Sequence, residues 1–218
     1  MIQKKSYRNR SGWLKARSGR IGGSDAAALL GLNPYKTNQE LWEEKTGRRI
    51  PPDISKEPYV KYGHQAEAPL RRLFALDFPQ YKVKYYPNNI VTNDKYPFAH
   101  ASLDGELEEI GTGRKGILEI KTTSILQSMM YERWKDRIPD NYYCQVLWYL
   151  MITEYDFAVL KAQLKSEWSD GEIRVTTKHY FIERSEVLDD IEELRIAGEK
   201  MWKCIQEDRR PDILLPAI

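Results

Sequence analysis

Two acidic residues and one lysine have a spacing that suits metal-dependent chemistry. Glu119 and Lys121 lie two residues apart in the apolar segment 116–123, so an extended strand would place both side chains on one face. Asp104 ends the preceding apolar segment, and it can approach Glu119 if the two strands pair. An acid in a buried strand is costly without a partner, so the apolar neighbours of Glu119 favour a bound cation.

A pair of neighbouring carboxylates indicates a site for a hard cation. Two such groups repel one another unless a cation lies between them, and their oxygen atoms suit Mg²⁺ or Mn²⁺. A metal-bound water can attack a phosphodiester while the ion neutralises charge on the leaving oxygen. Lys121 would orient or deprotonate this water, or stabilise the pentavalent phosphorus. The structural alternative is that Asp104 caps a turn while Glu119 and Lys121 form a solvated pair.

Glu67 and Gln145 are further candidates on predicted helices. Glu67 lies on the apolar stripe of a helix expected over 57–78, where an acid is costly unless it is paired or bound to a metal. The alternative for Glu67 is a salt bridge with Arg71, four residues later. Gln145 lies on another expected helix, and a glutamine on a helix surface is commonplace.

Basic residues are concentrated in the first 24 residues. This segment holds seven lysines and arginines and no acid, so the remaining residues carry a net −5 within the total of +2. Local patches decide nucleic-acid binding, although a charge run is often only a solvated arm. Ser24, which follows Gly22 and Gly23, is expected to cap a short helix whose free N–H groups could bind phosphate, with Arg17 supplying a charged fork. The alternative is that Ser24 only caps its helix and Arg17 only solvates the arm.

Hydrophobic periodicity and turn residues predict an α/β domain with a mixed central sheet and flanking helices. The predicted helices cover residues 24–31, 38–46, 57–78 with a kink or a fresh start at Pro69, 125–133, 141–153 and 186–208. The predicted strands cover 81–92, 98–107 and 116–123, which are expected to form an antiparallel meander, and then 156–164 and 175–183. A turn at 169–171 is expected to join the last two strands.

Composition excludes several classes of protein. With 218 residues, of which 41% are hydrophobic, the chain suits one domain over 1–218. No apolar run approaches the roughly 20 residues that span a bilayer, and the N-terminus lacks the apolar region of a signal peptide, so a soluble, intracellular protein is expected. Two distant cysteines and three scattered histidines argue against a disulfide framework and against zinc or iron–sulfur sites.

Six short motifs are distributed over most of the chain. They are residues 13–17 (WLKAR), 21–25 (IGGSD), 63–67 (GHQAE), 102–105 (SLDG), 118–121 (LEIK) and 143–146 (YCQV). Their order and spacing resemble the phage-type alkaline exonucleases related to lambda exonuclease and the YqaJ-like viral recombinases, within the PD-(D/E)xK nuclease superfamily. Leu103 stands where the superfamily name has proline, a position that contributes no ligand.

This resemblance implies a restriction-endonuclease-like core, with a central mixed β-sheet flanked by helices, and a role for each matched residue. Asp104 and Glu119 would bind Mg²⁺ with the Ile120 carbonyl, and Glu67 would support a second cation. Lys121 would activate water, and Gln145 would complete the site from its helix. A pocket for the DNA 5′-phosphate would contain Arg17, Ser24 and Ser102.

The same resemblance implies a 5′→3′ exonuclease that degrades one strand of linear double-stranded DNA and leaves a 3′ single strand for recombination. It further implies a ring-shaped homotrimer, a single-strand annealing protein as partner, and a phage or prophage gene expressed in the bacterial cytoplasm. Two alternatives remain: a sequence- or structure-specific DNA endonuclease on the same core, and a DNA-end-binding module without catalytic turnover.

Overall fold

The computed structural model describes residues 1–125, 128–167 and 171–215. Its strands are β1 (Ile2–Ser6), β2 (Tyr81–Lys84), β3 (Asn89–Asn93), β4 (Gly105–Glu109), β5 (Lys115–Ile125), β6 (Phe157–Glu167) and β7 (Ile173–Glu183). Its α-helices are α1 (Arg10–Ser18), α2 (Gly23–Ala26), α3 (Asn38–Lys45), α4 (Pro58–Asp77), α5 (Ser128–Glu132), α6 (Asp140–Thr153) and α7 (Leu188–Gln206). Two 3₁₀ turns cover Ala27–Leu30 and Arg184–Glu186.

A mixed five-stranded sheet of order β2-β4-β5-β6-β7 forms the centre of the fold. Its neighbouring strands are antiparallel, except that β5 and β6 run parallel. The predicted mixed sheet is therefore confirmed, and so is the antiparallel pairing of β4 with β5. A separate two-stranded sheet pairs β1 with β3.

Two apolar cores cover the two faces of the sheet. On one face, α6 packs with α2, the turn Ala27–Leu30 and α7 over strand residues such as Ile117 and Leu160. On the other face, Leu70 and Phe74 of α4 contact residues of β5 and β6. Side chains in a strand alternate between faces, so β5 presents Leu118 and Ile120 to α4 and leaves Glu119 on the side of α6. The sheet is thus the middle layer of an α/β/α arrangement.

The helical predictions hold with small shifts of their ends. Residues 38–46, 141–153 and 186–208 were expected to be helical, and they correspond to α3, α6 and α7. The predicted helix 57–78 is α4, and it continues as one helix through Pro69, without a fresh start there. The helix predicted over 125–133 appears as α5, and residues 126–127 lie outside the described residues, as do residues 169–170 of the expected turn.

Two strand predictions were wrong. The segment 81–92 forms two strands in different sheets, because the chain turns between them through Asn88, whose φ of 49° is left-handed. The segment 98–104 forms only isolated bridges at Ala99 and Ala101, and the strand begins at Gly105. Ser102 and Asp104 therefore lie outside a regular strand, immediately before β4.

The cap assigned to Ser24 was also wrong. The helix α2 begins at Gly23, with Gly22 as its N-cap, and the Gly22 N–H donates to Asp25 Oδ2 at 3.1 Å. Ser24 lies inside the first turn and is exposed. Gly31 ends the following 3₁₀ turn with a left-handed φ of 72°, as expected of a helix terminator.

The basic N-terminal segment is folded. Residues 2–6 form β1 on the edge of β3, and residues 10–18 form α1. Helix α1 is fixed to the body of the protein by Trp13, whose Nε1 donates to the Asn89 carbonyl at 3.0 Å. Among the described residues, the helices are either too short or too polar to cross a bilayer.

Helix α6 is the buried helix on which one face of the sheet depends, and Trp148 is its largest fully buried side chain. Trp148→Ala should lower the free energy of unfolding by about 3–5 kcal/mol, because it leaves a cavity in the core. Leu76→Ala, at a position that is 75% exposed, is the control and should change it by less than about 0.5 kcal/mol. Urea unfolding measures both, and equal losses would contradict the packing of α6.

Candidate active site

The pairing of β4 with β5 brings the two central carboxylates together. Gly105 is opposite Leu118 in the antiparallel ladder, so the preceding residue, Asp104, lies beside Glu119. The Ile120 N–H donates to Asp104 Oδ2 at 2.9 Å and fixes that carboxylate against β5. A Cβ at position 105 would lie 3.2 Å from the Cβ of Leu118, so glycine permits the close approach. The predicted approach of Asp104 to Glu119 is confirmed.

Glu119, Lys121 and Gln145 form a closed hydrogen-bonded network. Lys121 Nζ lies 2.8 Å from Glu119 Oε1 and donates to Gln145 Oε1 at 2.8 Å. Gln145 Nε2 donates to Glu119 Oε1 at 2.7 Å and to the Tyr149 hydroxyl at 2.9 Å. Gln145 therefore has a specific position between the acid and the lysine, and it is buried, whereas sequence alone allowed an ordinary surface glutamine.

Helix α2 packs against this network without intervening side chains. A Cβ on Gly23 would overlap the ring of Tyr149 and lie 3.0 Å from Cγ of Gln145. Glycine at this position lets the backbone of α2 reach the network directly. The Gly22–Gly23 pair is therefore required for packing, and not only for the turn into the helix.

The electrostatics of the network are dominated by burial. Glu119 is 2% exposed, and burial together with the charge of Asp104 raises its pKa to about 8, despite the attraction of Lys121. Burial also raises the pKa of Asp104. For Lys121, burial acts to lower the pKa, but the charges of Glu119 and Asp104 outweigh it and the pKa is raised. The two acids share one lysine, so a further positive charge would stabilise their ionised forms.

The donor set fits a hard divalent cation. Glu119 Oε2 is buried and has no hydrogen-bond partner, while the other oxygen of this carboxylate contacts Lys121 and Gln145. A buried, unpaired carboxylate oxygen beside a second carboxylate suits Mg²⁺ or Mn²⁺. Within residues 1–125, 128–167 and 171–215, no three His, Cys, Asp or Glu side chains converge into a ready metal cluster. The fit is therefore to a site of two carboxylates.

Glu67 lies near this pair but outside its hydrogen-bonded network. Its carboxylate is 3.5 Å from Nδ1 of His64, and burial and the charge of Asp104 raise its pKa. The salt bridge with Arg71 that was considered as an alternative does not form among the described residues. Arg71 Nε donates instead to the main-chain carbonyl of Asp104 at 2.6 Å.

The three residues expected to bind a 5′-phosphate differ in their burial and in their contacts. Arg17 is half-buried and stacks over Trp13, 4.2 Å from the ring centroid. Ser102 Oγ is buried without a hydrogen-bond partner, and Ser24 is exposed on α2. No hydrogen bond joins the three side chains in the described part of the chain, so their common role stays a prediction.

His100 is a buried polar residue that the sequence did not reveal as part of this region. It is 2% exposed, and neither imidazole nitrogen has a hydrogen-bond partner. Burial and the charges of Arg17 and Lys45 lower its pKa to about 3, so the imidazole is neutral. A Cβ on Gly22 would lie 2.9 Å from its Nε2. The only signal in the sequence was the side-chain-free Gly22–Gly23 pair, since the histidines have no motif spacing.

Comparison with known proteins identifies the family. The model of the YqaJ-like viral recombinase domain matches residues 12–156, a range that contains every site residue described above. The chain therefore belongs to the YqaJ-like viral recombinase family, as the motifs predicted. It is 35% identical over 178 residues to the YqaJ protein of Bacillus subtilis strain 168, and the match covers 79% of the chain. The chain spans about half of that relative, of which 53% is covered.

Solved structures confirm the fold class. An alkaline exonuclease from Laribacter hongkongensis matches with a TM-score of 0.60 and 17% identity, over 90% of this chain and 95% of that one. A phage-related exonuclease from Haemophilus somnus 129PT matches with a TM-score of 0.50 and 14% identity, over 87% and 96% of the two chains. The fold is restriction-endonuclease-like, as predicted.

The neutral His100 should make stability depend on pH. The unfolded chain binds a proton at this residue below about pH 6.5, and the folded chain excludes it until about pH 3. Stability is therefore lost as the pH falls through this window, by about 2 kcal/mol between pH 7 and pH 5. His100→Gln should remove this contribution. Urea unfolding at both pH values tests it, and identical pH dependence in the two proteins would contradict it.

Proposed function

We propose that this protein is a magnesium-dependent 5′→3′ exonuclease that degrades one strand of linear double-stranded DNA. The observation that carries the proposal is the pair of Asp104 and Glu119, with one buried carboxylate oxygen unpaired and Lys121 held beside it. Metal binding and phosphodiester hydrolysis account for a donor set that is costly to bury. The likeness of the fold to two exonucleases is consistent with this chemistry.

The residues of the network have separate roles in this proposal. Asp104, Glu119 and the Ile120 carbonyl hold Mg²⁺, or Mn²⁺ as a substitute, and Glu67 supports a second cation. When bound, the metal supplies an activated water and polarises the phosphodiester. Lys121 orients the attacking water and stabilises the negative charge on the phosphoryl oxygens in the transition state. Gln145 fixes both Glu119 and Lys121 through one hydrogen bond to each.

The direction of degradation rests on a pocket for the 5′-phosphate that contains Arg17, Ser24 and Ser102. Support comes from the unpaired, buried Ser102 Oγ and from the position of Arg17, whose charge acts on His100 and Tyr149. A guanidinium and hydroxyl groups are suitable donors for a terminal phosphate. Anchoring that phosphate places the first internucleotide bond at the carboxylates, so cleavage proceeds from the 5′ end.

The proposal extends to the assembly and its partners. A homotrimeric ring around the DNA would make degradation processive, because dissociation would require the DNA end to slide out. The 3′ single strand that remains is the substrate of a single-strand annealing protein, which is the proposed partner in recombination. The cytoplasm of the bacterial host is the proposed location.

The substrate comparison tests the function directly. Linear duplexes with a 5′-phosphate or a 5′-hydroxyl, and a closed circle, are each incubated with Mg²⁺ or with EDTA, and the strand that shortens is identified. We expect loss of the 5′ strand from phosphorylated linear DNA, in Mg²⁺ only. Cleavage of the circle would favour an endonuclease, and binding without turnover in any divalent metal would favour a DNA-end-binding module.

Substitutions in the network should abolish turnover without unfolding the protein. Asp104→Asn, Glu119→Gln and Lys121→Met should each lower the rate by about 100-fold or more, because each removes a group that acts in the transition state. Glu108→Gln is the matched control, since this acid of the neighbouring strand β4 pairs with Lys84 at the surface. Nuclease assays with circular dichroism spectra measure the effect. Activity of Asp104→Asn close to the original would contradict the proposed centre.

A further inference from the structure

Arg71 on α4 is held at the edge of the candidate active site by two contacts. Its Nε donates to the main-chain carbonyl of Asp104 at 2.6 Å. The flat face of its guanidinium lies over Tyr85, with 3.6 Å between the guanidinium carbon and the ring centroid. These contacts use one N–H group and one face of the guanidinium, and they fix its orientation.

The two terminal nitrogens of Arg71 remain available. Within the described residues, Nη1 and Nη2 make no hydrogen bond or ion pair. The acid four residues earlier, Glu67, which would be the usual helical partner, contacts His64 instead. The free edge of a guanidinium presents parallel N–H groups that match two oxygens of a phosphate.

The position of Arg71 relates it to the reaction. Its positive charge acts on the carboxylates of both Glu67 and Asp104, so the guanidinium lies beside the proposed metal site. A DNA strand that places one phosphate at Asp104 and Glu119 must bring its neighbouring phosphates close to this edge. An arginine already fixed by other contacts loses little conformational freedom when it binds a phosphate.

We propose that Arg71 binds a backbone phosphate next to the scissile one, and that its contact with the Asp104 carbonyl sets the distance between that phosphate and the carboxylates. This inference rests on the proposed nuclease function, and it assigns to Arg71 a substrate contact in addition to the positioning of Asp104. Tyr85 supports one face of the guanidinium and leaves its terminal nitrogens free for the phosphate.

The first test measures DNA binding without turnover. Binding of a linear duplex is followed with Ca²⁺ in place of Mg²⁺ at several salt concentrations. Arg71→Met should reduce the slope of log affinity against log salt by about 0.9 for a duplex phosphate or about 0.7 for a single-strand phosphate. Arg72→Met, at the exposed neighbouring position, is the matched control. It should change the slope by less than Arg71→Met does. A slope equal to the original in Arg71→Met would overturn the proposal.

The second test locates the phosphate. A series of duplexes carries one neutral methylphosphonate at each successive position near the 5′ end. The unmodified protein should lose about tenfold or more in affinity at one position, as expected for a charge-assisted hydrogen bond, and Arg71→Met should show no further loss there. A purely structural role would lower activity but leave the methylphosphonate profile unchanged, and that result would overturn the proposal.

A second variant keeps the test valid if Arg71→Met does not fold. Arg71→Gln retains a hydrogen-bond donor for the Asp104 carbonyl and removes the charge, and the same changes in slope and profile are expected. Because both tests measure binding, their failure would leave the nuclease function intact. Conversely, an absence of turnover on every DNA would refute the nuclease function, whereas the binding tests would still decide whether Arg71 contacts a phosphate.

Discussion

The antiparallel pairing of β4 with β5 is the constraint on which the candidate active site depends. It places Asp104 beside Glu119 and lets the Ile120 N–H hold one oxygen of Asp104. The layers on either side of the sheet follow from the alternation of side chains along β5. Leu118 and Ile120 point toward α4, whereas Glu119 and Lys121 point toward α6. A shift of one residue in this register would exchange the two faces, and both the core and the site would be lost together.

Burial of this acidic pair requires compensation from the rest of the fold. Lys121 and Gln145 satisfy one oxygen of Glu119, and Tyr149 fixes the amide of Gln145 from the same helix. The remaining oxygen, Oε2, has no hydrogen-bond partner among the described residues. A carboxylate that is hydrogen-bonded on one oxygen only is consistent with the proposed binding of an external cation.

The sequence predicts the parts of this arrangement that depend on local periodicity. The shared face of Glu119 and Lys121 follows from period-two alternation, and the long helices follow from their apolar stripes. The absence of a regular strand over 98–104 could not be predicted from the local pattern. This segment pairs only through isolated bridges to Ile21 and Val91, which are distant in sequence. The proximity of His100 to Gly22 is equally a product of tertiary packing, and no local pattern in the sequence contains it.

The folded N-terminal segment changes how its charge can act. A flexible basic arm would have to lose conformational entropy on binding DNA, whereas here Lys4 is paired with Glu106 and Arg17 is stacked on a tryptophan that is itself bonded to β3. Arg17 is thereby held where its charge acts on buried groups of the site. The charge in this segment is divided between residues that fasten it to the fold and residues available to a polyanion. Specific placement, rather than net charge, is what can distinguish a DNA end from the rest of the duplex.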